Sequence, residues 1–195
     1  MAPTDSNDDF VHDSPGSDRR SSLRAATQHL HRDLDEAVAE LDLTEPGDYR
    51  RFLRASAGPL LGIESFLLRS GVEQLLADWQ QRTRSLAILS DLQTMRVAAT
   101  PFDLRRAAAT PAEMFGMLYV LEGSRLGSRV LRERVMASPD ATVRLANAYL
   151  SANDPTHWRT FLQKLESAAE AEDGSETTAG AVYAFALFQR SFSML

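Results

Sequence analysis

From Leu23 onward, apolar residues recur every three or four positions, the spacing that gives a helix one buried face. The first such stripe is Leu23, Ala26, Thr27, Leu30, Leu34, Val38 and Leu41. It predicts a helix that starts at Ser21 or Ser22, either of which can cap it, and runs to about Leu41. Thr44-Glu-Pro-Gly marks a turn, and Tyr49 to Leu68 predicts a second helix, bent at Pro59 and ended by Gly71. Val72 to Arg82 leads into Ser85 to Met95, where Leu86, Leu89 and Leu92 keep helical spacing. Thr110-Pro-Ala-Glu113 combines an N-cap threonine, a proline at the first helical position and the glutamate of a capping box. It opens a long helix that reaches about Met136 and stops before Ser138-Pro139. A short helix over Ala141 to Leu150 follows, then one beginning at Asp154-Pro155 and carrying Trp158, Phe161 and Leu165. Gly174-Ser175 reads as a break, and Glu176 to Met194 as a last helix with Phe185, Phe188 and Phe192 on one face. No stretch alternates with period two, so the predicted fold class is all-α.

Composition narrows the class further. Residues 1–20 are rich in Asp, Ser, Pro and Gly and lack apolar periodicity, so they are expected to form a disordered acidic tail, with 21–195 as one helical domain. The 195-residue chain has no cysteine, which excludes disulfides, thiolate metal ligands and iron–sulfur clusters. A net charge of −6 argues against a nucleic-acid partner. No apolar run approaches the roughly 20 residues that span a bilayer, and no secretory leader is visible, so a soluble cytoplasmic protein is expected.

Two stretches carry candidate chemistry. In Leu118-Tyr-Val-Leu-Glu-Gly-Ser-Arg-Leu-Gly-Ser-Arg-Val-Leu131, Gly123 lies one helical turn from Gly127 and Ser124 one turn from Ser128. Each glycine costs a helix interior about 0.8–1 kcal/mol relative to alanine, so the pair needs a compensating reason. A tight helix crossing or a kink would supply one, and a flat ligand lying on bare backbone another. In Leu23-Arg-Ala-Ala-Thr-Gln-His-Leu-His-Arg-Asp-Leu34, a step of about 100° per residue puts His31 at the edge of the apolar stripe, facing inward, and His29 toward water. An inward histidine serves either as a hydrogen-bonded core residue or as a metal ligand.

Taken together, Leu23-Arg24-Ala25-Ala26-Thr27 with His31, and Gly123-Ser-Arg-Leu-Gly127, resemble the heme oxygenase family and its bacterial, biliverdin-producing branch, from about Ser22 to the C-terminus. The resemblance implies a single-domain helical bundle that holds heme between the His31 helix and the glycine helix, with His31 as iron ligand. It implies that Gly123, Ser124, Gly127 and Ser128 form the catalytic wall and that Thr27 shapes the other side. Arg24 and Arg159 match residues that meet the heme propionates, although both could equally be solvated. Phe185 and Phe192 match aromatics beside the heme, although core packing would explain them too. Many relatives have aspartate where Ser124 stands and glycine where Ser128 stands, and the directions of Glu122 and Arg125 are open. The implied activity is the opening of heme, both substrate and cofactor, to biliverdin, carbon monoxide and ferrous iron. It uses O2 and electrons from a separate ferredoxin or reductase, and either supplies a bilin-binding photoreceptor or releases iron. The alternative reading is a non-catalytic heme carrier or sensor with the same fold.

Overall fold

The computed structural model describes residues 15–168 and 174–195. All regular structure among them is helical. The elements are α1 (Pro15–Ala39), α2 (Pro46–Arg69), a 3-10 turn (Val72–Gln74), α3 (Trp79–Arg82), α4 (Ser85–Thr94), α5 (Pro111–Met136), α6 (Ala141–Leu145), α7 (Ala148–Ser151), α8 (Pro155–Ala168) and α9 (Gly174–Phe192).

Four sequence expectations change in detail. Helix α1 begins at Pro15 rather than at Ser21 or Ser22, so the expected tail of residues 1–20 is helical from 15. Its remainder lies outside the described residues. Tertiary contacts hold this extra helix where no apolar stripe exists: Arg19 donates to Thr177 of α9 at 3.3 Å, and the Arg20 guanidinium lies 6.0 Å from the Trp158 ring. On α4, Leu86 and Leu89 are exposed, and Ile88, Asp91 and Leu92 form the buried face. Helical spacing leaves rotation open; here the buried Glu64 carboxylate sets it by accepting the backbone N–H groups of Arg84 at 2.8 Å and Ser85 at 3.0 Å. The single short helix expected after Ala141 is split into α6 and α7. The Asp91 carboxylate accepts from the Ala148 and Tyr149 amides at 2.9 and 2.8 Å, starting a new helix there. Helix α9 begins at Gly174, two residues before the expected Glu176.

Other signals are realised as read. Thr110 and Glu113 make the capping box in both directions, at 3.2 and 3.1 Å. Gly71 takes a left-handed φ of 85° just past the α2 C-cap, where a side chain would be strained. Trp79 is buried.

Helix α9 is the support on which the rest is arranged. It packs on α5, α1 and α2, while α8 packs on both α1 and α5. The α5–α9 crossing is backbone to backbone: a Cβ on Gly116 would lie 1.9 Å from the Thr177 carbonyl oxygen, and one on Gly180 2.1 Å from that of Glu113. Phe185, Phe188 and Phe192 line the buried face of α9, and the Leu60, Ile63, Phe66 and Leu67 side chains of α2 fill the core beside it. Helices α1 and α5 thus both lean on α9, and this brings the two candidate stretches to one region.

Candidate heme site

Helix α1 presents His31 one turn beyond Thr27. Thr27 is buried and its hydroxyl donates to the Leu23 carbonyl at 2.7 Å, so it belongs to the wall of the helix. The His31 side chain is 62% exposed, which corrects the expected inward orientation. Leu30 and Leu34 take the packing positions against the core, and the imidazole stands at the stripe's edge, 6.0 Å from the Phe185 ring and edge-on to it. Asp35, one turn further along, holds His31 Nδ1 at 2.8 Å. A carboxylate there fixes ring and tautomer and leaves the Nε2 lone pair for a metal. His29 is exposed on another face. Among the described residues no group of three or more His, Cys, Asp or Glu side chains could hold a metal.

On α5, a Cβ added to Gly127 would meet nothing within 4 Å, and one on Gly123 only the Trp158 ring, at 3.7 Å. Gly123 faces Trp158 of α8 at ordinary contact distance and Gly127 faces no neighbour among the described residues, so neither is forced by a close backbone crossing. The bare strip continues into exposed apolar side chains, with Leu126 59% and Val130 61% accessible. At about 100° per residue Ser124 stands about 60° from Gly127, at the strip's edge, whereas Ser128 is turned about 140° from Gly123 and lies off it. Ser128 is buried and donates to the Ser124 carbonyl at 3.2 Å. The Ser124 hydroxyl donates to the Leu121 carbonyl at 2.7 Å and accepts from Arg84 Nη2 at 2.8 Å.

Cationic side chains stand on both α1 and α8. Arg24 is exposed on α1, and Arg159 is exposed on α8 in the turn that carries Trp158. Trp158 packs on Tyr119 with ring centroids 5.7 Å apart. Burial pushes the Tyr119 phenol up, and the positive charges of Arg20 and Arg24 draw it back, which places both arginines near it. Phe185 is the aromatic brought to His31; Phe192 stacks edge-on against Phe52 of α2, at 6.3 Å.

Glu122 and Arg125 point into a buried charged cluster. Arg125 Nε meets Glu122 at 3.1 Å and Arg125 Nη1 donates to the Ala152 carbonyl at 2.6 Å. Arg82 reaches the same carboxylate at 3.3 Å and pairs with Asp78 at 2.7 Å. Burial pushes the Arg125 guanidinium down, the nearby Arg84 charge adds to this, and Glu122 opposes it. Sequence reasoning missed Arg20, Asp35 and Arg84. The Asp35 signal was available as a carboxylate one turn after the histidine, whereas the other two depend on distant segments meeting.

An accessible, carboxylate-held histidine on α1, an open glycine strip on α5 and exposed arginines on α1 and α8 are the groups these helices offer a ligand. No protein-family model matches the chain. It is 36% identical to a heme oxygenase of Xanthomonas campestris pv. campestris (strain 8004), over 72% of this chain and 86% of the relative. The chain belongs to the heme oxygenase family. Its fold matches the solved heme oxygenase of Neisseria meningitidis, studied with NO and CO bound, with a TM-score of 0.70, 22% identity and coverage of 90% and 92% of the two chains.

Proposed function

We propose that this protein is a heme oxygenase that opens heme to biliverdin, releasing carbon monoxide and ferrous iron, with O2 and electrons delivered by a separate ferredoxin or reductase. The observation that carries the reading is the pairing of a carboxylate-held, accessible His31 with a helix whose Gly127 faces open space. Bound heme would supply the iron that activates O2 and the ring that is cut. His31 would hold that iron through Nε2, with Asp35 on its Nδ1. Arg24 and Arg159 would neutralise the propionates, and Phe185 would wall the ring on the His31 side. Gly123 and Gly127 let backbone approach the ring closely. Ser124 brings an exposed hydroxyl to the edge of that strip, where it would hold water, and Ser128 is buried behind it. No helix among the described residues is long and apolar enough to cross a membrane, which fits a cytoplasmic site of action. A bilin-binding photoreceptor is a fitting consumer of the product.

The test is a heme titration followed by turnover. Stoichiometric binding should give a histidine-ligated spectrum, and addition of reductant and O2 should replace it with that of biliverdin while carbon monoxide is released. Tight binding with no carbon monoxide from several competent reductants would instead make the protein a heme carrier or sensor.

A further inference from the structure

One buried cation has no role in the account above. Arg84 is 1% exposed, yet its guanidinium makes no ion pair among the described residues. The nearby buried carboxylate, Glu64, is committed to the backbone amides of Arg84 and Ser85 and to the Ser85 hydroxyl. What Arg84 does have is neutral: Nη2 donates to the Leu121 carbonyl at 3.0 Å and to the Ser124 hydroxyl at 2.8 Å, and the guanidinium lies 5.1 Å from the centre of the Tyr149 ring. Its Nε and Nη1 have no hydrogen-bond partner among the described residues. Burying a charge on neutral partners, with two N–H groups unspent, costs stability. Such a cost persists where the charge is used.

Ser124 shows the direction of use. It is exposed and sits next to Gly123 on the strip-bearing segment. Its proton is on the Leu121 carbonyl and one lone pair takes the Arg84 bond, so it can only accept from a further partner. A water bonded there would give one proton to Ser124 and have the other to donate toward the strip's edge, with the Arg84 charge one hydroxyl behind it.

We propose that Arg84 is a positioning residue that makes the Ser124 side of the site selective for anionic ligands, holding Ser124 as an acceptor and stabilising negative charge that arrives or develops above the bare strip. The inference rests on the heme reading above. In a low-dielectric site, a fixed cation favours charge development without reorganisation.

The experiment uses the ferric heme complex of the full chain and two probes: azide, an anion, and imidazole, a neutral ligand of similar donor type. Each variant is first required to show wild-type circular dichroism and a histidine-ligated heme spectrum; failure of wild type at this step overturns the heme reading and not this one. Arg84→Gln, which keeps a donor but removes the charge, should weaken azide about tenfold and leave imidazole within about threefold. Arg84→Lys should restore most of the azide affinity. Equal losses for both probes, or no loss for either, would overturn the proposal and leave Arg84 structural. Should the Arg84 variants not fold, exposed Ser124 gives the second measurement. With the ligand-free protein, Ser124→Asp should melt at a higher temperature than Ser124→Asn, because it gives Arg84 a counter-charge. An equal or lower melting temperature for the aspartate variant would show that no unspent cation lies there, and the proposal falls.

Discussion

Helix α5 uses glycine in opposite ways along its length. In its first half, Gly116 exists because another backbone occupies the space of its side chain: Gly180 and Thr177 of α9 pass within van der Waals contact. In its second half, Gly127 faces nothing within 4 Å, and Leu126 and Val130 beside it stand open to water. The first half is held by packing and the second by polar ties, through Arg84 to Ser124 and through Arg82 and the Ala152 carbonyl to Glu122 and Arg125. Identical residues in one helix thus answer to two demands, closure of the fold and access for a ligand. Burial separates them, and composition does not.

Substitutions can break this contrast. Gly116→Ala should cost about 3–5 kcal/mol or prevent folding, since no rotamer relieves a Cβ placed against backbone atoms; a chemical melt followed by circular dichroism would measure it. Gly127→Leu should leave the fold intact and weaken heme binding at least about tenfold, or some 1.4 kcal/mol, by filling the slot. A stable protein with unchanged heme affinity would remove Gly127 from the site. His31→Ala should abolish the histidine-ligated spectrum with little change in melting temperature, while His29→Ala changes neither. Gly127→Ala should stabilise the ligand-free protein by about 0.5–1 kcal/mol, the opposite sign to Gly116→Ala, because a helix gains from alanine where space is free. The smallest effect concerns the polar ties. Arg82's hydrogen bond, helped by its charge, holds the Asp78 carboxyl below its ordinary range. Stability from this pair is complete above the unfolded value of about 4 and is lost as pH falls through the lower folded value. The melting temperature of Asp78→Asn should therefore fall less steeply with acid than that of wild type as pH drops below about 4.

The legible parts of this chain were those whose cause is local. The capping box at Thr110, the aromatic face of α9 and the Gly123/Gly127 spacing each follow from residues within two turns of one another. So does the edge position of His31, although its exposure does not, because accessibility depends on what stands opposite. Gly116 and Gly180 are each single glycines in ordinary helical runs, and only their meeting across two distant segments gives them meaning. Reading Gly123, Ser124, Gly127 and Ser128 as one strip overlooked that neighbouring residues point about 100° apart. That rotation sends Ser128 into the core and Ser124 to Arg84. Arg84 had no signal in the chain around it, because what makes it unusual is the lack, among the described residues, of a carboxylate partner in three dimensions.

The exposure of Leu126 and Val130 has a thermodynamic consequence. A ligand seated on the strip takes this apolar surface out of water, so binding and folding draw on one free energy, and stability rises with the logarithm of ligand concentration. When that ligand is also consumed, each turnover withdraws the support it had given. The second half of α5 would then alternate between a tightened state and a looser one in which its amides exchange with solvent more readily. Supply of substrate would set how long the protein survives as well as how fast it works, and a cell short of heme would hold a pool of it that is easier to unfold and degrade.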